Sequence, residues 1–297
     1  MKYLKLGKSR NLLWFFIISF LATPAFYVQT LFLVYVSVLF IFVLEAVIRG
    51  GEGVFLRSLR LALTLFVANA FWLLPVIYFS FTNTQIIQQS HINSIATVET
   101  QIMNEASGSL KDVASLKGFW FNYMDLAANN KFDYLYRVWI DYFNSHLYIG
   151  FYSYLLFGIG VLGLITALFQ KKNKFRFSGL LVFLLVYFML ASTNPPFGEV
   201  FKVLSGKIPL FNEIFRSVFT KWSLIGAFSY SLGLALFIFT IGGFLKRLII
   251  PMLLTLVLFS LMILPVKPIF EGKLISDTMQ VKIPNEYFRT FEFFNDV

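Results

Sequence analysis

Cysteine is absent from this 297-residue chain, which excludes disulfides, thiolate metal sites and a thiol nucleophile, and leaves the redox compartment unmarked. Charge is scarce as well: 13% of residues are charged against 58% hydrophobic, with a mean hydropathy of +0.74. That balance excludes an ordinary water-soluble domain and makes the bilayer the chain's solvent. Only two histidines occur, His91 and His146; neither has a partner at metal-motif spacing, and both read as surface residues. The H-E-x-x-H and G-x-S-x-G patterns are missing, as are a Gly-rich phosphate loop, a fixed-period repeat and any low-complexity tract. The net charge of +10 sits in short Lys/Arg clusters beside hydrophobic runs. Such clusters act as topology signals and lipid-headgroup contacts, so nucleic acid is not an expected partner and membrane lipids are.

What the chain has in abundance is apolar runs rich in rings, with 38 Phe and 19% aromatics. A spanning helix takes about 20 apolar residues, and the block 11–48 is nearly twice that length, with Thr23-Pro24 inside it. Proline pushes the residue before it out of helical geometry, so the block reads as two helices, 11–23 and 27–48, with a tight turn between them. The basic start followed by an apolar stretch imitates a signal peptide. It runs directly into a second stretch of spanning length, however, which predicts a retained helix. Gly50-Gly51-Glu52-Gly53 breaks the pattern, and a third helix is expected over 58–81, emerging near Phe81. Further helices follow at 147–170, 177–193, 218–241 and 248–265, leaving 82–146, 194–217 and the tail 266–297 outside the apolar runs. The tail reads as partly strand-like.

The expected fold is therefore an all-α polytopic membrane protein with about seven transmembrane helices in residues 1–265. The basic N-terminus, Arg49/Arg57/Arg60, the Lys171-to-Arg176 cluster and Lys246/Arg247 fall on one face of such a bundle, and the positive-inside rule makes that face cytoplasmic. The C-terminus, an outer loop region at 82–146 and a re-entrant or interfacial segment at 194–217 then share the outer face of the cell membrane. Gly158, Gly160, Gly163, Gly226 and Gly233 lie inside helices, where small residues allow close packing.

Three groups of residues could carry chemistry. Arg216 and Lys221 are outer-face cations at the start of a helix, against the topology bias and beside a positive dipole end, and together they would favour a phosphate. The competing reading pairs Arg216 with Glu213 and lets Lys221 snorkel to headgroups. Asn194 and Trp222 flank the pair in the same Pro-interrupted stretch. The segment 119–148 interleaves rings, Trp120 and Trp139 among them, with Asp125, Asp133, Arg137 and Asp141. Aromatic faces stack on sugar rings while acids accept hydroxyl hydrogen bonds, but a helix lying in the interface as an aromatic belt has the same composition. Asp133 and Asp141 are the candidates for a base or a metal ligand. Glu45 is an intramembrane carboxylate and so a functional candidate, with Arg49 at i+4 offering a plain ion pair.

The stretch Asn69-to-Pro75 (NAFWLLP), the long loop after it, Asn194-Pro195-Pro196-Phe197-Gly198, Ile208-Pro209-Leu210-Phe211, and Phe215-Arg216 with Lys221 resemble the GT-C glycosyltransferase superfamily, especially its arabinofuranosyltransferase-like and YfhO-like groups. The resemblance covers residues 58–225. It implies sugar transfer from a polyprenyl-phosphate donor to an outer-face glycan acceptor, with a divalent metal as a possible cofactor and an acid in the first outer loop. Here that loop, Thr23 to Tyr27, contains neither Asp nor Glu. The resemblance thus implies a piece of a longer enzyme, with Arg216 and Lys221 facing the lipid phosphate and the catalytic acid elsewhere. A non-enzymatic lipid or polysaccharide transporter subunit is the alternative.

Overall fold

The computed structural model describes residues 2–89, 97–170, 176–208, 210–245, 249–280 and 284–295. His91, Lys171 to Phe175, Pro209, Lys246, Arg247, Val281 to Ile283, Asp296 and Val297 lie outside the described residues, as does the Arg176 side chain.

The chain folds as an all-α membrane protein. Helices α1 (Lys2–Leu6), α2 (Ser9–Leu21), α3 (Gln29–Ile48) and α4 (Val54–Gln89) form the first half. Helices α5 (Val98–Ala106) and α6 (Leu110–Ser115), a hairpin of β1 (Met124–Leu126) and β2 (Phe132–Tyr134), and α7 (Arg137–Ser145) follow. The second half holds α8 (Leu147–Phe169), α9 (Arg176–Ala191), α10 (Gly198–Lys207), α11 (Phe211–Phe215), α12 (Val218–Leu245), α13 (Ile249–Ile263), α14 (Lys267–Phe270) and α15 (Asn285–Asn295). Among the described residues five helices are long and apolar enough to cross a membrane: Gln29–Ile48, Val54–Asn83, Leu147–Phe169, Val218–Phe244 and Ile249–Phe270. Ser9–Leu21 and Phe177–Ala191 are apolar but shorter. Seven apolar helices thus stand where the hydrophobic runs put them, and five have spanning length.

Pro24 separates α2 from α3 through a 3-10 turn, Thr23–Tyr27, whose first bond Thr23 supplies by donating its hydroxyl to the Phe20 carbonyl at 2.6 Å. Helix α4 departs from expectation by starting at Val54 and running on to Gln89. Polar residues such as Asn83 and Gln85 end burial in hydrocarbon without ending a helix, because no Gly or Pro interrupts the sequence there. The tail differs too. Its described residues form short helices and no strand, since Tyr287, Phe291 and Phe294 recur at helical spacing around Glu286, Arg289 and Glu292. The only strands described lie instead in the aromatic segment, where the expected interfacial helix is confined to α7. There Asn130 takes a left-handed conformation (φ 59°) and Asn129 Oδ1 accepts from the Lys131 amide at 3.0 Å, a turn chemistry that Asn favours.

The centre of the bundle is the α8–α12 crossing. A Cβ on Gly163 would overlap the Gly233 carbonyl, and one on Gly233 would overlap that of Gly160, so these glycines let the backbones touch. Gly226 packs against Leu116, Val186 and Leu190, whereas Gly158 faces open space and contributes nothing to packing. One core cluster runs through Val34, Val186, Leu190, Phe201, Phe211 and Trp222, joining α3, α9, α10, α11 and α12.

Polar contacts sort the connections into two ends. At the basic end Arg57 donates to the Leu4 carbonyl (2.9 Å), Gln170 bonds Thr240, and Glu45 meets the start of α9. At the other end the residues around 104, 135, 194, 216 and 276 meet one another. The expectation that the three non-apolar segments gather together is met by these contacts.

Candidate functional site

The loop-rich end is assembled by side chains that reach across long stretches of sequence. Helix α5 is capped by Thr97, which accepts from the Thr100 amide (3.4 Å), and α6 by Ser109, which accepts from the Asp112 amide (3.3 Å). These caps start two short helices that lie over α9 and α12. Tyr230 donates to the Val113 carbonyl (2.7 Å), tying α6 to α12. Asn104, buried, donates to the Arg216 carbonyl (2.6 Å) and fixes the α11–α12 junction. Asn194 donates to the carbonyls of Glu105 (2.7 Å) and Ala191 (3.1 Å). Its amide is a strut between α9 and α5. Gly118, at φ 61°, lies directly against the Phe219 ring, so the turn carrying Phe119 and Trp120 sits beside the first turn of α12.

Arg216 and Lys221 meet at that first turn. Lys221 is 8% exposed and donates to the Ser217 carbonyl at 3.4 Å, at the long limit for such a bond. It lies within electrostatic reach of the Arg216 guanidinium. Among the described residues neither cation has a carboxylate within ion-pair distance. The pairing of Arg216 with Glu213 is therefore not formed, and Lys221 does not snorkel outward but is packed inside. Trp222, 1% exposed, stacks loosely on Phe215 (ring centroids 6.3 Å apart), and its indole N–H is buried without a hydrogen-bond partner. Two positive groups and an unused donor thus occupy one helix start. Burying an ammonium costs several kcal/mol unless an anion compensates.

Of the carboxylate candidates, Asp133 is already engaged. Asp133 accepts from the Arg137 guanidinium, from Thr278 Oγ1 (2.9 Å) and from the Tyr134 amide (2.8 Å). The Arg137 bond, then the Thr278 bond, holds its carboxyl below the usual range, and Asp133 in turn holds Arg137 above its ordinary value. The same network clamps the tail. Ser276 Oγ donates to the Tyr134 and Leu135 carbonyls (3.0 and 2.9 Å) and accepts from the Arg137 amide (2.7 Å). Trp139, buried, donates its indole N–H to the Leu274 carbonyl (3.2 Å), so it too holds the tail. Asp141 is exposed on α7. Trp120, 37% exposed between Phe119 and Tyr123, is one of the exposed rings of this segment, with Phe132 and Tyr148. Among the described residues no three His, Asp or Glu side chains converge, and Asp133 is already paired, so the residues here do not fit a divalent metal.

Sequence reasoning passed over Asn104, Ser276 and Thr278, which make polar contacts at this end with residues far away in the sequence. Each is a small polar residue in a polar stretch, and only its partners in the fold distinguish it. Glu45, by contrast, does pair with Arg49 as expected, and it does more: its carboxylate also accepts from the amides of Phe177 (3.3 Å) and Ser178 (2.8 Å) and so caps α9 from a neighbouring helix.

No protein-family model, no curated protein and no solved structure matches this chain.

Proposed function

We propose that the start of α12 is an anion site for a lipid-borne phosphate, and that the chain is the donor-holding part of a GT-C-type membrane glycosyltransferase. The observation that carries this reading is Lys221: a lysine packed among apolar helices with one long bond to a carbonyl and, among the described residues, no counter-charge. A phosphate there would supply the missing anion to Lys221 and Arg216 and an acceptor for the Trp222 indole. The family resemblance supports polyprenyl phosphate as the carrier, with a sugar resting on the open Trp120 face across the Phe219 contact and a glycan acceptor arriving from solvent. On this reading all seven apolar helices cross the cell membrane, α2 and α9 with local thinning. The basic end is cytoplasmic, and the loop-rich end and C-terminus are outside. The chain's own residues bind and orient the donor. Asp133 is taken up by Arg137 and Thr278; on this reading the acid for transfer comes from outside these residues, and no step is routed through a metal.

Lys221→Met keeps the stem and removes the charge. Polyprenyl phosphate binding to the protein in nanodiscs should weaken at least about tenfold, one ion pair's worth, while the ligand-free protein becomes more resistant to unfolding because a buried charge has gone. Unchanged affinity, or a loss of stability in place of a gain, would overturn the assignment.

A further inference from the structure

The helices of the first half differ in height. Helix α2 has 13 residues and at 1.5 Å per residue reaches about 20 Å, short of the roughly 30 Å of bilayer hydrocarbon. Beside it α4 has 36 residues and overtops it. Taking Arg57 and Arg60 as the basic interface on α4, hydrocarbon extends over about 20 further residues, so Phe71, Trp72 and Val76 lie in its far half. The α2–α3 turn ends against that stretch and leaves a step. The step is a groove of about 560 Å³, walled by Phe20, Leu21, Pro24, Phe26, Phe71, Trp72 and Val76, with Thr23 and Gln29 the polar residues on its border.

Its wall is built rather than incidental. Asn69, fully buried, anchors itself on the Leu65 carbonyl (2.9 Å) and accepts from the Trp72 indole N–H (3.0 Å). That bond fixes the ring, which packs edge-on against Phe32 with centroids 5.1 Å apart. Pro75 takes away the N–H that would bond the Phe71 carbonyl one turn below, which offers a polar contact inside an otherwise apolar wall. The Thr23 hydroxyl is consumed by Phe20, while Gln29 is exposed and its amide makes no hydrogen bond among the described residues.

We infer that this groove is a binding site for one acyl chain of a bilayer phospholipid from the leaflet opposite the basic end, with Gln29 at the level of its ester and headgroup. Three observations select that occupant. The groove is continuous with the lipid-facing surface, where Phe20, Leu21, Phe71, Leu74 and Tyr78 are all exposed. Its depth excludes bulk water, since water there would meet apolar walls and a single unpaired carbonyl. Its polarity runs from rings below to an amide above, which is the polarity of a lipid. The groove shares no lining residue with the start of α12, so it does not depend on the phosphate site.

Native mass spectrometry of the full chain, extracted in mild detergent from vesicles of phosphatidylethanolamine and phosphatidylglycerol, tests it. Wild type should retain about one phospholipid per chain. Val76→Phe, which fills open space and removes no packing, should lose at least nine-tenths of that adduct while melting no lower than wild type in lipid-free detergent. Added phospholipid should raise the melting temperature of wild type alone. Lys221→Ala should keep the adduct. A bare wild-type chain, an adduct that survives Val76→Phe, an adduct lost with Lys221→Ala, or a bound isoprenoid in place of the phospholipid would each overturn the groove assignment.

Discussion

Glu45 and Lys221 are both ionisable side chains buried among apolar helices, and the fold treats them in opposite ways. Glu45, 5% exposed at the basic end, receives Arg49 and two backbone amides from the first turn of α9. Its charge is matched, and it joins α3 to α9 much as an N-cap joins a helix to its own first turn. Lys221 at the loop-rich end receives one long carbonyl contact and has Arg216, a like charge, as its neighbour. A charge matched within the fold is structural. One left unmatched is a standing cost that only function would retain. The difference teaches where to look: the buried ion with the complete set of partners holds helices, and the incomplete one is where we propose a ligand binds.

The comparison breaks first at Glu45. Glu45→Ala removes the acceptor of the α9 amides and should cost about 3–5 kcal/mol, as loss of one partner from a buried pair does. The check is the unfolding midpoint in detergent, with Glu45→Gln recovering part of the loss because an amide oxygen still accepts from Phe177 and Ser178. A change below about 0.5 kcal/mol, the size of an ordinary surface substitution, would mean that the cap is ornamental.

A milder change would turn the second site into the first. Ser217 precedes Lys221 by four residues, the spacing that separates Glu45 from Arg49. Ser217→Glu should supply the missing carboxylate and stabilise the ligand-free protein by about 0.5 kcal/mol, as an i,i+4 pair does. It should also abolish polyprenyl phosphate binding by occupying the cation. Retained binding in isothermal titration would show that the phosphate does not use Lys221.

The smallest effect lies in the clamp between β2 and the tail. The folded-state pKa of Asp133 is depressed by Arg137 and Thr278, so the clamp's contribution is complete above the unfolded carboxyl value, about 4. It is lost as pH falls through the lower folded value. The hydrogen-exchange protection of residues 274–279, taken relative to the intrinsic rate at each pH, should fall below about pH 4 in wild type, while in Asp133→Asn it should be low throughout and show no such step. A pH profile unchanged by the substitution would remove Asp133 from the clamp.

Much of the architecture was legible before any coordinates. Hydrophobic run length located all seven apolar helices, because burial in hydrocarbon demands internally satisfied backbone and continuous apolar surface. Thr23-Pro24 located the first turn and Gly50 to Gly53 the second. The same logic failed in the loop-rich region, where no solvent phase dictates a pattern. The hairpin around Asn129-Asn130 and the tail's helices follow turn chemistry and ring spacing that a hydropathy reading passes over. Among the candidate residues, Arg216 and Lys221 come within electrostatic reach of each other, with Trp222 next along α12. Asn194, Trp139 and Asp133 proved to be struts, a role that depends on partners as distant in sequence as Glu105, Leu274 and Thr278.

The sequence alone set this chain in a membrane, located its apolar helices and marked which end is basic, since all three follow from local composition against a fixed solvent. Which buried charge is paired was decided by tertiary structure alone. Glu45 looks like half of an i,i+4 pair in sequence and is a three-partner junction in space, while Glu213 stands three residues before Arg216 and leaves it unpaired. Coulombic and hydrogen-bond energies depend on separations of a few ångströms, and those separations exist only once the helices have packed.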